Sequence, residues 1–200
     1  MRELLIATRN KGKWPEIVAG LTGMPFQLVN LDEVGIPADF EPTETATTFE
    51  GNALIKAFLY GKMSGKLTLA EDAGLEVDTL GGRPGVLSAR YAPGSDEDRC
   101  RKILTELSGI NQSQRGAQFR AAIAIYDPEH DDKIRTCEGV CKGHIATEAR
   151  GSNGFGYDPI FYSDELGKTG GEMTLQEKDR VSHRGRALRK AREILLAEFA

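Results

Sequence analysis

Residues 2–21 read RELLIATRNKGKWPEIVAGL, and their pattern predicts the type and order of the first elements of the fold. Residues 2–8 form a short apolar run, which is typical of a strand that is buried on both faces of a sheet. A basic loop follows, and Pro15 is tolerated in the first turn of a helix whose apolar residues recur at helical spacing until Gly23. Strand, loop and helix in this order predict an open α/β sheet, in which ligands bind where the strand meets the helix.

The basic loop between this strand and helix suits a polyphosphate. Backbone amides at a helix start point outwards, and the helix dipole favours an anion there. The loop adds three cations, a hydroxyl and an amide, but it lacks the glycines and the Lys-Ser/Thr pair of a Walker loop. A solvated turn with ordinary surface lysines is the alternative interpretation. The residues of this predicted phosphate-binding loop are Thr8, Arg9, Asn10, Lys11, Gly12 and Lys13.

The rest of the chain continues the α/β pattern. Further strands are predicted at residues 26–30, 67–70, 119–126, 133–140, 143–147 and 159–162. Helices are predicted at residues 48–63, at about residues 183–199, and after a capping box formed by Ser95 and Asp98. No repeat or linker divides the sequence, so the expected class is α/β with a mixed sheet, in one domain spanning residues 1–200.

The composition fits one or two compact domains. The chain has 200 residues, of which 40% are apolar and 28% are charged. Thirty acidic and twenty-six basic residues give a net charge of -4, so the molecule is not a general binder of polyanions. We expect no stable nucleic-acid partner, although local contact through a basic C-terminal segment is an alternative. That segment contains Arg180, Arg184, Arg186, Arg189, Lys190 and Arg192.

The number of cysteines and the short N-terminal apolar run predict a cytoplasmic location. Three cysteines cannot form a disulfide framework, and this suits a reducing environment. The N-terminal apolar run is too short for a secretory or membrane-spanning segment, so we expect a cytoplasmic protein without a membrane partner. Cys137, Cys141 and His144 lie close together in the sequence, but a zinc site normally has a fourth ligand or an open catalytic position, and zinc is not favoured.

Two groups of acidic residues suggest a magnesium site. Glu41, Glu44 and Glu50 precede or begin a predicted helix, and Glu71 and Asp72 follow a predicted strand. Carboxylates that converge beside phosphate-binding cations are what Mg²⁺ needs, because it takes few protein oxygens and keeps waters and substrate phosphates. Asp72 is the better candidate, since Glu71 projects to the other side if the strand continues. A solvated acidic turn is the alternative for the glutamates.

A glycine-rich segment at residues 151–162 contains a candidate base-binding aromatic. Glycines on both sides of Phe155 permit unusual backbone dihedrals and expose the ring, and an exposed aromatic beside Asp158 is a plausible stacking platform. A turn that feeds a strand is the simpler alternative.

The start of the C-terminal helix is unusual. Thr174 and Glu177 form a second capping box, and Ser182 then precedes His183 and Arg184 at a helix start. Cationic side chains in a first turn oppose the helix dipole, and a negative or hydrogen-bond-accepting ligand resolves that conflict.

Together, and in this order, the segments resemble the inosine triphosphate pyrophosphatase family over nearly the whole chain. The family's opening motif, Thr-x-Asn-x-x-Lys, is present at Thr8, Asn10 and Lys13. Its further motifs are matched at residues 44–57, 71–78, 81–91, 155–159 and 182–184.

Four residues depart from the family pattern. Arg9 replaces a common glycine and adds charge to the loop, and Glu71 replaces a common aspartate. Ala73 replaces a serine, which removes one possible substrate hydrogen bond, typically about 1 kcal/mol. Gly51 replaces a glutamate, so the expected metal ligands are Glu44 and Asp72.

The resemblance implies a fold and a reaction. The implied fold is an elongated mixed central sheet with flanking helices that form two lobes around a cleft, in a homodimer. The implied reaction is Mg²⁺-dependent hydrolysis of dITP, ITP and XTP to the monophosphate and pyrophosphate, which keeps deaminated purines out of DNA and RNA. Asp72 is implied as the catalytic residue that orients or deprotonates water, and it shares the metal with Glu44.

The resemblance also implies the substrate-binding residues. The phosphate loop and Lys56 neutralise the leaving pyrophosphate, Phe155 stacks on the purine, and Arg184 donates to its 6-oxo group. The implied set is Thr8, Arg9, Asn10, Lys11, Gly12, Lys13, Asn52, Lys56, Ala73, Phe155, Gly156, Tyr157, Asp158, Lys178, His183 and Arg184.

Two other functions are alternatives. The septum-inhibitor type of nucleotide pyrophosphatase shares the architecture, but its opening with serine and arginine before the helix is missing here. A nucleotide-binding sensor without turnover is the second alternative, and the presence of Asp72 beside lysines argues against it.

Overall fold

The computed structural model describes residues 1–130 and 133–200. Within that part of the chain, the strands are β1 (Arg2–Ile6), β2 (Phe26–Val29), β3 (Leu67–Val77), β4 (Gly116–Tyr126), β5 (Ile134–Ile145), β6 (Phe161–Ser163) and β7 (Lys168–Thr169). The α-helices are α1 (Lys13–Leu21), α2 (Phe49–Ser64), α3 (Asp96–Glu106), α4 (Leu175–Val181) and α5 (His183–Glu198).

The strands form one mixed sheet in the order β2-β1-β3-β4-β5-β6-β7. β1 is parallel to both of its neighbours, β2 and β3, as expected for strands joined by helical crossovers. At the other end, β6 is antiparallel to both β5 and β7. The predicted α/β class with a mixed sheet and flanking helices is therefore confirmed.

The chain divides into two compact units. The first unit contains Met1–Asp72, Ala121–Gly139 and Arg184–Ala200, and the second contains Ala73–Arg120 and Val140–His183. In the first unit, the fully buried apolar run of β1 confirms the prediction of a strand covered on both faces. In the second unit, a core of buried side chains includes Leu75, Val77, Ile103, Leu107, Tyr157 and Ile160.

Two predicted strand boundaries were wrong. β3 continues through Glu71 and Asp72 to Val77, whereas the sequence predicted a strand end at residue 70. Residues 133–140 and 143–147 were predicted as separate strands, but one strand, β5, covers most of both segments. Gly143 does not break it, because this glycine lies opposite β6, where a Cβ atom would collide with the Tyr162 carbonyl.

Both predicted capping boxes are confirmed. Ser95 accepts from the Asp98 amide at the start of α3, and Thr174 accepts from the Glu177 amide at the start of α4. Across the described ranges, no helix combines the length and the apolarity that crossing a membrane requires.

Candidate active site

The loop after β1 is organised by one asparagine. Asn10 Oδ1 accepts from the backbone amides of Gly12 (2.8 Å) and Lys13 (3.1 Å), and the Asn10 amide donates to Thr8 Oγ1 at 3.1 Å. Two amides that the sequence offered to a phosphate are therefore satisfied by a side chain. Asn10 is exposed, and its Nδ2 group can donate to a ligand.

The Arg9 side chain has partners within the protein, and its contact with phosphate stays a prediction. Its guanidinium donates to Asp32 at 3.1 Å and to the backbone carbonyls of Ile36 (3.3 Å) and Pro37 (2.6 Å). Arg9 therefore ties the loop to the segment after β2. Lys11, in contrast, is exposed at the loop surface, where its ammonium can reach an anion in solvent.

A buried ionic network lies behind the loop. The Glu71 carboxylate, which has no exposed area, accepts from Arg184 Nε (2.7 Å) and Nη2 (2.9 Å), and it pairs with Lys13 Nζ at 3.1 Å. Arg184 Nη1 also donates to Glu16 of α1. One carboxylate in β3 thus holds two cations in place, one from each end of the chain.

This network changes the interpretation of Arg184. The three guanidinium nitrogens contact the carboxylates of Glu16 and Glu71, and only 3% of the side chain is exposed. The conflict between Arg184 and the helix dipole is therefore resolved within the protein by carboxylates. Donation from Arg184 to a purine 6-oxo group stays a prediction. Each terminal guanidinium nitrogen has two hydrogens, and the second of these is the one that can donate to the purine.

Asp72 faces a different set of partners. Its Oδ1 lies 3.2 Å from Lys56 Nζ, and its Oδ2 accepts from Asn52 Nδ2 at 3.2 Å. Lys56 Nζ also contacts Glu44 Oε1 at 2.9 Å, so one ammonium lies between two carboxylates. Because successive strand residues point to opposite faces, Glu71 and Asp72 serve two separate clusters, as predicted for a continuing strand.

The pair of Glu44 and Asp72 fits a hard divalent cation. Both groups supply carboxylate oxygens, the ligands that Mg²⁺ prefers, and both already share a positive charge from Lys56. Gly51, where the family often has glutamate, sits close to the preceding turn: a Cβ atom there would lie 2.6 Å from Ala46 Cβ. The local backbone of this chain therefore suits glycine at position 51.

Lys13 and Lys56 differ in electrostatic environment. Burial lowers the pKa of the Lys13 ammonium, although Glu71 acts in the opposite direction. Burial has the same effect on Lys56, but Asp72 and Glu44 outweigh it and hold the pKa of Lys56 above its ordinary value. Lys56 is therefore a permanent cation, and Lys13 is a desolvated one that gains from an additional anion.

Asn52 supports Asp72 and is itself buried. Only 1% of Asn52 is exposed, and its Oδ1 accepts from the Ala46 amide at 3.0 Å. Both ends of the side-chain amide are thus used within the protein, and the contact of Asn52 with substrate stays a prediction. Ala73, the next residue after Asp72, is partly exposed and presents a methyl group where a hydroxyl is common in the family.

The second unit contains the predicted aromatic platform. Phe155 is partly exposed, and its backbone amide donates to Asp158 Oδ2 at 2.8 Å. The buried Lys178 ammonium contacts the same carboxylate at 2.7 Å and lies 5.3 Å from the centre of the Phe155 ring. The structure thus brings together Phe155, Asp158 and Lys178, and the binding of a nucleoside by these residues, which the family resemblance implies, stays a prediction.

Tyr157 has a structural side chain. Its ring is buried in the core of the second unit, and its hydroxyl donates to the Ser88 carbonyl at 2.8 Å. The Tyr157 side chain therefore supports the turn, and its role in substrate binding stays a prediction. Gly156, immediately before it, has a positive φ of 62°, a conformation that favours glycine.

His183 is held by an aromatic ring that the sequence analysis did not select. The imidazole stacks on Phe119 of β4, with ring centres 4.6 Å apart and an interplanar angle of 12°. Phe119 in turn packs edge-on against Phe161. Glu16 was also missed, because an acid in the first turn of a helix has an ordinary role toward the dipole and carries no other local signal.

The residues weighed for zinc have separate partners. Cys137 Sγ contacts the Ala187 carbonyl, and His144 Nδ1 contacts Asp164 at 2.9 Å. Among the described residues, the one group of three potential metal ligands is Asp127, Glu129 and His130, and Asp127 is already bound to Arg2 at 2.8 Å.

Comparisons with known proteins agree on one family. The Ham1 family model matches residues 4–194. A dITP/XTP pyrophosphatase of Bacillus subtilis (strain 168) is 45% identical over 199 residues, covering 98% of each chain. A protein of the same name from Geobacter sulfurreducens is 46% identical over 190 residues, covering 94% of each chain.

Solved structures agree with these relatives. A HAM1 protein from Coxiella burnetii superposes with a TM-score of 0.87 and 40% identity, covering 98% of this chain and 99% of that one. A nucleoside-triphosphatase, dITP/XTP pyrophosphatase, from Mycobacterium abscessus gives a TM-score of 0.74 with 43% identity, covering 94% and 98%.

Proposed function

The chain belongs to the Ham1 family, and from this membership we propose that it hydrolyses deaminated purine nucleoside triphosphates to the monophosphate and pyrophosphate. The substrates proposed are dITP, ITP and XTP, as the names of the relatives indicate. The observation that carries the proposal is the cluster in which Lys56 lies between Glu44 and Asp72. This cluster combines a carboxylate that can activate water with a cation that can bind phosphate.

Asp72 is the proposed general base or water-orienting group. Asn52 and Lys56 fix its two carboxylate oxygens, so the carboxylate has little freedom to rotate away from a bound water. Glu44 and Asp72 are the residues that would hold Mg²⁺, which when bound neutralises phosphate charge and polarises phosphoryl oxygens. A septum-inhibitor type of activity is not favoured, since the relatives share a different name.

The triphosphate is proposed to bind to the first unit. Lys13 and Lys56 supply positive charge, while Thr8, Asn10, Lys11 and Gly12 form the loop that precedes α1. Because burial makes the Lys13 ammonium costly, an added phosphate charge stabilises it and gains more attraction than it would in water.

The purine is proposed to bind to the second unit. Phe155 supplies a stacking surface, and Asp158, Lys178 and His183 supply polar groups around it. A hydrogen-bond donor aimed at a 6-oxo group rejects adenine, because the 6-amino group leaves two donors facing each other.

We expect selectivity in initial rates. The donor to the 6-oxo group accounts for rejection of ATP. Guanine also has a 6-oxo group, so the expectation for GTP rests on the names of the relatives, dITP/XTP pyrophosphatase. For purified protein with Mg²⁺, kcat/KM for pyrophosphate release should be at least about a hundredfold higher with ITP and XTP than with ATP and GTP. A chelator should abolish release from all four. Comparable rates on ATP would overturn the proposed base selectivity, and undiminished rates in the chelator would overturn the metal requirement.

Two further properties are proposed from the family. One is a homodimer, as the resemblance implies. The other is a cytoplasmic location, which suits three cysteines that are all free thiols.

A further inference from the structure

Both the backbone amide and the backbone carbonyl of Gly156 form hydrogen bonds with side chains of α3. The Gly156 amide donates to Asp96 Oδ2 at 2.6 Å, and the Gly156 carbonyl accepts from Cys100 Sγ at 3.3 Å. Asp96 and Cys100 are four residues apart in α3, so they lie on the same face of that helix. We call this pair and its contacts with Gly156 the α3 clamp.

The α3 clamp acts next to the proposed base-binding ring. The amide of Phe155 donates to Asp158, and the amide of Gly156 donates to Asp96, so two consecutive amides are fixed by two different carboxylates. Charge-assisted hydrogen bonds of this kind are shorter and stronger than neutral ones. With the peptide on each side of its Cα anchored, the Phe155 side chain leaves the backbone in a defined direction.

Helix capping does not account for Asp96. The capping box of α3 is formed by Ser95 and Asp98, and the Asp96 carboxylate instead reaches Gly156 and Arg99. Cys100 is 5% exposed, and burial raises the pKa of its thiol to about 12. The thiol therefore keeps its proton across the physiological range and can donate it to the Gly156 carbonyl.

We propose that Asp96 and Cys100 are positioning residues for recognition of the purine base, acting through Gly156 on the orientation of Phe155. The inference rests on the proposed function, since it takes Phe155 as the stacking surface. Neither residue touches the substrate. They restrict the conformations of the aromatic turn before a substrate binds. Less conformational entropy is then lost when a base stacks on Phe155.

The test separates the two halves of the substrate. Inosine monophosphate contains the base and pyrophosphate does not, and neither requires turnover. Asp96→Ala should weaken binding of inosine monophosphate by about tenfold, measured by calorimetry, and leave the affinity for pyrophosphate unchanged. In kinetics, the same variant should raise KM for ITP by a similar factor with kcat within about twofold of the wild type.

Conservative variants distinguish positioning from general support. Asp96→Asn keeps an acceptor oxygen and Cys100→Ser keeps a donor hydrogen, so both should bind inosine monophosphate within about threefold of the wild type. The matched control is Asp98→Ala, which removes the α3 capping box without removing a contact to Gly156. It should lower thermal stability and leave binding unchanged.

A double-mutant cycle isolates the route through Phe155. In a Phe155→Ala background, adding Asp96→Ala should have no further effect on inosine monophosphate, because the ring being positioned is gone. The proposal is overturned if Asp96→Ala acts equally on pyrophosphate, if Asp96→Asn fails to recover binding, or if the effect persists without Phe155. If the wild type binds inosine monophosphate but does not cleave ITP, the proposed function fails and the inference is still decided by these affinities.

Discussion

Replacing Asp72 with asparagine should lower kcat for ITP by about a hundredfold or more while substrate binding survives. Asparagine has nearly the same shape, so the contacts of this position with Asn52 and Lys56 can be retained in part. It lacks the negative charge and the basicity, however, and cannot take a proton from water or attract a divalent cation as a carboxylate does.

Steady-state rates with saturating ITP and calorimetry with inosine monophosphate measure the two halves of this expectation. Glu41→Gln is the matched control, because Glu41 is an exposed acid of the segment that also carries Glu44. It should keep its activity within about twofold of the wild type, as expected for a surface change away from the reacting groups. An Asp72→Asn variant that turns over near the wild-type rate would remove Asp72 from the mechanism and favour a different base.

Replacing Arg184 with methionine should lower the free energy of unfolding by about 3 kcal/mol or more. Arg184 is buried between Glu16 and Glu71, and Glu71 has no exposed area. Without the guanidinium, Glu71 keeps Lys13 as a partner at 3.1 Å. Glu16 loses the hydrogen bond that its carboxylate accepts from Arg184 Nη1. Buried carboxylates left without a full complement of partners are the source of the loss.

Urea unfolding at neutral pH measures this effect. Arg189→Met is the matched control, since Arg189 is an exposed arginine of the same helix, and its replacement should change stability by less than about 0.5 kcal/mol. A loss below about 1 kcal/mol for Arg184→Met would show that the network contributes little to the fold.

Local features of the sequence predicted local structure well. The capping boxes at Ser95 and Thr174 are confirmed, because both partners of each box lie within one helical turn. The opening strand and helix are confirmed for the same reason: their apolar spacing is decided by nearest neighbours along the chain.

Prediction from the sequence failed where a residue's interaction partner is far away along the chain. Two adjacent acids look like the end of a strand, since an unpaired buried carboxylate is unfavourable. Glu71 is compatible with the interior of β3 only because Arg184, 113 residues later, supplies two hydrogen bonds. No local pattern reports that pairing.

The roles of the site residues stay predictions, and the structure shows which of these side chains lie together. Residue types indicated which side chains carry charge, and the structure brings together Glu44, Lys56 and Asp72 in one cluster. The sequence did not indicate which polar groups would satisfy one another. The Arg9 guanidinium therefore binds Asp32 and backbone carbonyls, and Asn10 Oδ1 accepts from the amides of Gly12 and Lys13.

Phosphorus NMR of the products identifies both the phosphoanhydride bond that is cleaved and the nucleotides that are accepted. The protein should be incubated with dITP, XTP, dATP and dGTP in separate reactions, each with Mg²⁺ and with a chelator. We predict monophosphate and pyrophosphate from dITP and XTP with Mg²⁺, and nearly unchanged dATP and dGTP. Orthophosphate as the first product would place the attack at the terminal phosphate and contradict the account, and the absence of turnover of every nucleotide would contradict the assignment of an enzyme.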